Sequence, residues 1–213
     1  MADYVTPQWG RSALLVIDLQ RDFLDGGQAT IPGTTEVIPK VVSLVNAFRH
    51  ARRPVFHVIR LYPPGSSDVD LLRRDSIEKG AEVVAPGTDG WHVADGVLPV
   101  GFEFDADELL RGRAQKIGPR EVLLFKPRWS AFHRTELELL LHAQECDTLV
   151  VAGCNLPNCP RATLFDASER DFRTVLATDA VSQTSAERLV DMERIGVNLL
   201  SSAEVVASVH AAP

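Results

Sequence analysis

The chain has 213 residues, of which 45% are hydrophobic and 24% are charged, and its formal net charge at pH 7 is −7. This length suits one compact domain with a substantial core, so we expect residues 1–213 to form a single domain. Basic residues are scattered among acidic ones without a basic stripe, which argues against nucleic acid and other polyanions as partners. No apolar run is long enough for a membrane span and no secretory signal pattern is present, so we expect a cytoplasmic protein with no membrane partner.

Six segments have the length and apolar character of β-strands, with helical patterns between most of them. These segments are residues 13–17, 55–60, 122–125, 148–152, 174–177 and 197–200. The first, fourth and fifth are nearly continuous apolar runs, as expected of parallel strands buried on both faces. The alternation predicts an α/β fold, a three-layer α/β/α sandwich around a six-stranded, mainly parallel sheet.

Two helices have recognisable starting signals. Thr135 with Glu138, and Thr184 with Glu187, have the spacing of a capping box in front of apolar periodicity. Residues 162–172 are also compatible with a helix. We expect a helix at each of these three places.

Residues 62–120 interrupt the alternation of strands and helices. This segment contains many glycine and proline residues and only one or two short helical patterns, such as residues 107–113. Long irregular segments inside compact domains are often functional or mobile. We therefore expect this segment to contribute to function or to move.

Polar side chains follow three of the predicted strands. Asp18 ends the run ALLVID, Lys126 ends VLLFK, and Cys159 lies in the loop after LVVAG. Ligands of open parallel sheets bind at the carboxyl ends of the strands, so these three side chains are expected at one edge of the sheet. An acid, a base and a nucleophile would meet there.

The three cysteines, Cys146, Cys154 and Cys159, form no disulfide pattern and are expected to be free thiols. Cys146 precedes a predicted strand and Cys154 directly follows one, which favours structural roles for both. Cys159 lies where a strand turns into a helix, an unusual place for a residue that only packs. Most free cysteines behave as small buried hydrophobic residues, but this position favours a nucleophile.

The three side chains suit acyl transfer. An ammonium such as that of Lys126, together with a helix N-terminus, lowers the pKa of a thiol, and we expect this effect at Cys159. The carboxylate of Asp18 would take the proton of the thiol and later deliver it to a leaving nitrogen, while Lys126 holds that carboxylate in place.

Five motifs in this order resemble the isochorismatase-like cysteine hydrolases, and the resemblance covers most of the chain. Each motif alone is weak, but the ordered set is specific. The motifs are LLVIDLQRDF (14–23), PGTDGWHV (86–93), FKPRWSAF (125–132), VVAGCNLPNCPRAT (150–163) and GVNLLSSAEVV (196–206).

The resemblance implies a catalytic triad of Asp18, Lys126 and Cys159. It also implies an oxyanion hole made by backbone N–H groups of Asn155 and Cys159, and a cis peptide bond between Cys154 and Asn155. The loop would then aim a thiol and two N–H donors at one carbonyl group.

The chain departs from relatives that act on nicotinamide. Those proteins usually carry an Asp-x-His metal element after the second strand, where this chain reads HVIRLYPPGSSDVD (57–70). His57 lies within the predicted strand and not in such an element. We therefore expect no catalytic metal and no other cofactor.

These observations predict a metal-independent cysteine hydrolase that cleaves a C–N amide bond of a small molecule through a thioester on Cys159. The amide would be a carboxamide, a ureide or a lactam. Two alternatives stay open. One is hydrolysis of a vinyl ether of the isochorismatase type, which does not depend on a thiol, and the other is non-catalytic binding of a small molecule on the same fold.

Six residues near the predicted site are candidate substrate contacts because they offer aromatic surface and polar groups. Phe23 is equally compatible with the core, and the residues of the two later loops could instead support loop packing or a subunit interface. Apolar helix faces and the family resemblance predict a homo-oligomer, a dimer or a tetramer. The six candidates are Gln20, Phe23, Trp91, His92, Arg128 and Trp129.

Overall fold

The computed structural model describes residues 4–212, which form seven strands and seven α-helices. The strands are β1 (Ser12–Ile17), β2 (Val55–Ile59), β3 (Gln115–Gly118), β4 (Glu121–Phe125), β5 (Thr148–Gly153), β6 (Arg173–Val181) and β7 (Asn198–Leu200). The helices are α1 (Thr34–His50), α2 (Leu71–Glu78), α3 (Ala106–Leu110), α4 (Leu137–Ala143), α5 (Cys159–Ser168), α6 (Ala186–Arg194) and α7 (Ser202–Ala211). Within this part of the chain, no helix combines the length and the apolar character that crossing a bilayer requires.

The strands form one sheet in the order β3-β4-β2-β1-β5-β6-β7. All neighbouring strands are parallel except β3 and β4, which confirms the predicted α/β class with a mainly parallel sheet. The sequence predicted six strands, one fewer than the sheet contains. The additional strand, β3, has the sequence QKIG and no buried residue, so it lacks the apolar run by which the other strands are recognised.

Helices cover both faces of the sheet and bury two separate apolar clusters. On one face, α1 and α7 contribute Phe48 and Val205; on the other, α4, α5 and α6 contribute residues such as Leu141, Leu164 and Met192. Every residue of β1 and of β5 is buried. The predicted three-layer sandwich, with central strands buried on both faces, is therefore confirmed.

The predicted capping boxes were wrong, although both helices exist. The cap of α4 is Glu136, which makes no side-chain cap hydrogen bond, and the hydroxyl of Thr135 donates to the carbonyl oxygen of Ala131. The cap of α6 is Ser185, one residue later than predicted, and it accepts from the N–H of Arg188. The spacing alone identified the helices but not their first residues.

The helix after β5 begins at Cys159, three residues earlier than residue 162, and ends at Ser168. Pro160 is compatible with this earlier start, because proline interrupts a helix interior yet is well tolerated in the first turn. The segment 62–120 contains α2 and α3, of which α2 was not predicted and α3 ends earlier than residue 113. The early start of α5 places Cys159 at a helix N-terminus.

The carboxyl ends of the four central strands lie side by side. Asp18, Arg60, Lys126 and Cys154 directly follow β1, β2, β4 and β5. The N–H groups of Asp18, Lys126 and Cys154 donate to carbonyl oxygens of the adjacent strand at 2.8, 3.0 and 2.8 Å. These bonds continue the sheet by one residue beyond β1, β4 and β5, so the side chains of Asp18, Lys126 and Cys154 leave the sheet in fixed directions.

Gly153, the last residue of β5, allows the ends of β5 and β1 to approach closely. Its φ is +115°, and a Cβ atom built on it would lie 2.1 Å from the carbonyl oxygen of Ile17. Both the backbone conformation and the contact exclude a side chain here. The loop that leads to Cys159 starts from this point.

Replacing Gly153 by alanine is expected to lower the free energy of unfolding by about 2–4 kcal/mol, because the added methyl group meets backbone that cannot move aside. Gly118→Ala is the matched control, since a Cβ at Gly118 would meet its nearest neighbour, the Cβ of Glu121, at an ordinary 3.7 Å. Urea unfolding of both variants measures the difference. Equal stabilities would show that the close approach at Gly153 has no energetic importance.

Candidate active site

A cavity opens at the carboxyl edge of the sheet, and Asp18 and Cys159 both line it. It encloses about 420 Å³, part of which is open to solvent. Its apolar wall consists of Phe23, Ile31, Leu72 and Trp129.

Asp18 and Lys126 form a buried ion pair beside the cavity. The Nζ atom of Lys126 lies 2.7 Å from Oδ2 of Asp18, and the side chains are 0% and 3% exposed. The second oxygen of Asp18, Oδ1, is buried and has no hydrogen-bond partner in residues 4–212. Lys126 thus occupies one oxygen of the carboxylate and leaves the other available to a proton donor.

Cys159 is the first residue of α5, and its thiol is almost fully buried. Its Sγ atom accepts a hydrogen bond from Nη2 of Arg60 at 3.4 Å. Burial and the neighbouring carboxylate of Asp18 raise the pKa of the Cys159 thiol, and Lys126 and Arg60 oppose this shift without overcoming it. The expected lowering of this pKa was therefore wrong, and the resting thiol is protonated at neutral pH.

The backbone before Cys159 presents two unpaired donors. The N–H groups of Asn155 and Cys159 have no hydrogen-bond partner among the described residues. The peptide bond between Cys154 and Asn155 is cis, as the family resemblance implied. The side chain of Asn155 donates to Oε1 of Gln183 at 2.7 Å, which fixes this loop to the end of β6.

Arg60 is a site residue that the sequence reasoning missed. It is 2% exposed, and its Nη1 atom lies 2.5 Å from Oδ2 of Asp70. The hydroxyl of Tyr62 donates to the same oxygen of Asp70 at 2.8 Å. The rule that selected Asp18 and Lys126, a charged residue directly after a buried strand, also applies to Arg60. The predicted strand 55–60 included this residue and so concealed it.

Only two of the six predicted substrate contacts, Phe23 and Trp129, line the cavity. Gln20 is fully buried behind the cavity wall. Its Nε2 atom donates to the carbonyl oxygens of Arg60 and Trp91, and its Oε1 atom accepts from the N–H of Arg60. Gln20 thus fixes the backbone that carries Arg60.

The other three candidates lie outside the cavity lining. Trp91 is mostly buried, and its Nε1 atom donates to Nε2 of His92. His92 lines a separate surface cleft beside Arg21. Arg128 forms an ion pair with Asp68 at 2.9 Å. The contacts of these side chains are with neighbouring loops, and none of the three lines the cavity that holds the thiol.

Arg73, also missed, extends from α2 into the cavity wall. Its guanidinium lies over the ring of Phe23, with Cζ 5.7 Å from the ring centroid. Unlike Arg60, it forms no ion pair with any acidic residue in the described part of the chain. It therefore offers free hydrogen-bond donors to a bound molecule.

His57 points away from this site. Its Nε2 atom lies 2.7 Å from Oε1 of Glu121, the first residue of β4, which lies toward the opposite edge of the sheet. Burial lowers the pKa of His57. Burial alone would raise the pKa of Glu121, but hydrogen bonds from His57 and Arg49 hold it at about 2. Across residues 4–212, no group of three or more His, Cys, Asp and Glu side chains is placed to hold a metal ion.

The similarity to known proteins covers most of the chain. The isochorismatase domain family matches residues 12–204. The crystal structure of an isochorismatase family protein from Desulfovibrio vulgaris is similar with a TM-score of 0.78 and 30% sequence identity, covering 92% of this chain and 98% of that chain.

Two related sequences carry different functional names. A probable inactive nicotinamidase of Arabidopsis thaliana is 34% identical over 198 residues, covering 89% of this chain and 92% of the relative. A maleamate amidohydrolase of Pseudomonas putida is 28% identical over 181 residues, covering 83% of this chain and 75% of the relative. With a family match over nearly its whole length and a sheet of the same architecture, this chain belongs to the isochorismatase family.

Proposed function

We propose that this protein hydrolyses a C–N amide bond of a small molecule, with Cys159 as the nucleophile and Asp18 as the proton carrier. The observation that supports this most is the unpartnered Oδ1 atom of Asp18, a residue that lines the same cavity as Cys159, while Lys126 occupies Oδ2. A buried carboxylate oxygen without a partner is costly unless a proton donor or a substrate uses it. A thiol and an amide nitrogen both meet that need.

In the first half of the proposed reaction, the thiol gives its proton to Asp18 and the sulfur attacks the amide carbonyl carbon. The C–S bond forms, and the carbonyl electron pair moves to oxygen, where the N–H groups of Asn155 and Cys159 stabilise it. When the C=O bond re-forms, the C–N bond breaks. The leaving nitrogen takes the proton from Asp18, which leaves a thioester on Cys159.

In the second half, a water molecule attacks the thioester. Asp18 takes a proton from this water as the C–O bond forms. The C–S bond then breaks, and the sulfur recovers the proton from Asp18. The products are a carboxylic acid and an amine or ammonia, and the protein returns to its starting state. Lys126 keeps Asp18 oriented in both halves.

The cavity wall favours a small substrate with an apolar part that packs against Phe23 and Trp129. Arg73, whose guanidinium lies over the ring of Phe23, offers donors for a carbonyl or an anionic group of the same molecule. The name of the Pseudomonas relative, maleamate amidohydrolase, supports amide cleavage. The name of the Arabidopsis relative shows that similarity alone does not establish activity, so the assignment depends on the site residues.

The proposal is tested by a mass-resolved screen of small carboxamides, ureides and lactams, followed by substitution of Cys159. Cys159→Ala is expected to reduce turnover of any substrate found by at least about 1,000-fold, because the thioester route is lost. Acid quenching of the wild type during turnover is expected to leave the acyl group on the Cys159 peptide. Cys146→Ala is the control, since Cys146 is also buried but lies before β5, away from the cavity.

Other outcomes of this screen identify the alternatives. Turnover of a vinyl ether such as isochorismate that survives Cys159→Ala but not Asp18→Asn would indicate ether hydrolysis. Saturable binding of small amides without product, by wild type and Cys159→Ala alike, would indicate a binding protein. Either result refutes the cysteine mechanism.

Because the resting thiol is protonated, we expect Asp18→Asn to change the rate of alkylation and the rate of turnover in opposite directions. Asp18→Asn removes a negative charge that raises the pKa of Cys159 and leaves Lys126 and Arg60 in place, so this pKa falls. Alkylation of Cys159 by iodoacetamide near pH 7 is then expected to become faster although turnover is lost. Peptide mass spectrometry across a pH series measures both rates. Slower alkylation in Asp18→Asn would mean that Asp18 does not raise this pKa in the resting protein.

A further inference from the structure

The guanidinium of Arg60 reaches three groups at once. Nη1 lies 2.5 Å from Oδ2 of Asp70, Nη2 donates to Sγ of Cys159 at 3.4 Å, and Nε lies 3.7 Å from Oδ2 of Asp18. It is therefore next to both the proposed nucleophile and the proposed proton carrier. Lys126, the other buried cation, bonds to Asp18 and to the carbonyl oxygen of Arg128. Of the cations in residues 4–212, Arg60 is the one with contacts to both Asp18 and the sulfur.

The buried charges around the thiol are balanced. Asp18 and Asp70 carry two negative charges, and Lys126 and Arg60 carry two positive charges. When the thiol proton moves to Asp18, the total stays at zero and one negative charge moves from the carboxylate to the sulfur. Moving a charge inside a buried site is favourable only if a counter-charge is present at both ends of the movement.

We propose that Arg60 is a catalytic residue, which stabilises negative charge on Asp18 before the proton transfer and on the sulfur of Cys159 after it. Asp70 and Tyr62 are positioning residues that hold Arg60 for this purpose. This inference deepens the proposed cysteine hydrolysis and rests on it.

The surroundings of Arg60 fix its orientation. Gln20 bonds to both the N–H and the carbonyl oxygen of Arg60, each at 2.8 Å, so the backbone cannot turn. Asp70 holds Nη1, and the hydroxyl of Tyr62 holds Asp70. Arg60, Tyr62 and Asp70 are only 2%, 2% and 6% exposed, so little solvent reaches the guanidinium. The Nη2 group is thereby directed at the sulfur before any substrate binds.

A purely structural role of Arg60 can be distinguished from a catalytic role by the reactivity of the Cys159 thiol. If Arg60 only neutralised Asp70, removing both charges together would leave the reactivity of the thiol unchanged. The double variant Arg60→Met with Asp70→Asn makes this comparison and avoids a buried uncompensated charge, which would threaten folding in Arg60→Met alone. Arg60→Lys keeps the charge but cannot keep all three contacts.

The experiment is the pH dependence of iodoacetamide alkylation at Cys159 in the full-length protein, read by peptide mass spectrometry. The double variant is expected to raise the apparent pKa of the thiol by at least about one unit, which slows alkylation about tenfold or more at a fixed pH below it. Arg60→Lys should lie between the wild type and the double variant. The double variant Arg49→Met with Glu121→Gln is the matched control, because it also removes both charges of an arginine–carboxylate pair, but far from the thiol.

Turnover gives a second reading once a substrate is known. The rate of thioester formation in a single turnover is expected to fall about 100-fold in the double variant, with KM changed by much less. A double variant that keeps its circular dichroism and melting temperature but matches the wild-type alkylation profile would overturn the proposal. Failure of the cysteine mechanism is recognised separately, by turnover that survives Cys159→Ala; the alkylation profile then reports only whether Arg60 lowers the pKa of the thiol.

Discussion

The ion pair between Lys126 and Asp18 is the interaction on which the site depends. It joins the ends of β4 and β1 across β2, with 2.7 Å between Nζ and Oδ2 and almost no exposure of either side chain. Two charges are removed from water there, which is costly unless their geometry is good and their remaining hydrogen-bonding groups are satisfied. The free Oδ1 atom of Asp18 is not satisfied. The sheet therefore stabilises an arrangement that is incomplete without a proton donor, and such an arrangement is better explained by chemistry than by stability.

The loop after β5 provides the proton donor that we propose for that carboxylate. Gly153 lets the chain leave the sheet close to Ile17, and α5 begins only six residues later, so Cys159 and its N–H group are brought back over the ends of the central strands. Pro160 suits the first turn of α5, because it has no N–H group that would need a partner there. Backbone donors and nucleophile are thus set by the same short loop, and the positions of both depend on the approach at Gly153.

Much of this site follows from one rule, that polar residues at the carboxyl ends of parallel strands meet at one edge. Applied to the sequence alone, the rule predicts that Asp18, Lys126 and Cys159 lie at one edge of the sheet. It missed Arg60 because the apolar run of β2 was extended over it by one residue, and a one-residue error at a strand end separates a core position from a site position. Tyr62, Asp70 and Arg73 come from a segment rich in glycine and proline, where no periodicity predicts which side chains turn inward. β3 was missed for the related reason that an edge strand can be polar on both faces.

The three thiols of this chain indicate why such a site would need a proton carrier. Burial raises the pKa of Cys146 to about 11 and that of Cys154 to about 12, and the pKa of Cys159 is raised by burial and by Asp18. All three are protonated at neutral pH, and thiolates, not thiols, react with oxidants and electrophiles. What separates Cys159 from the other two is therefore not its resting acidity. It lines a cavity together with Asp18, whose Oδ1 atom has no partner, and a guanidinium lies within hydrogen-bonding distance of its sulfur. In the proposed mechanism, its reactivity therefore arises only when its proton is transferred to Asp18. Under this proposal, the thiol is protected in the resting protein and becomes a nucleophile only when a neighbouring group accepts its proton.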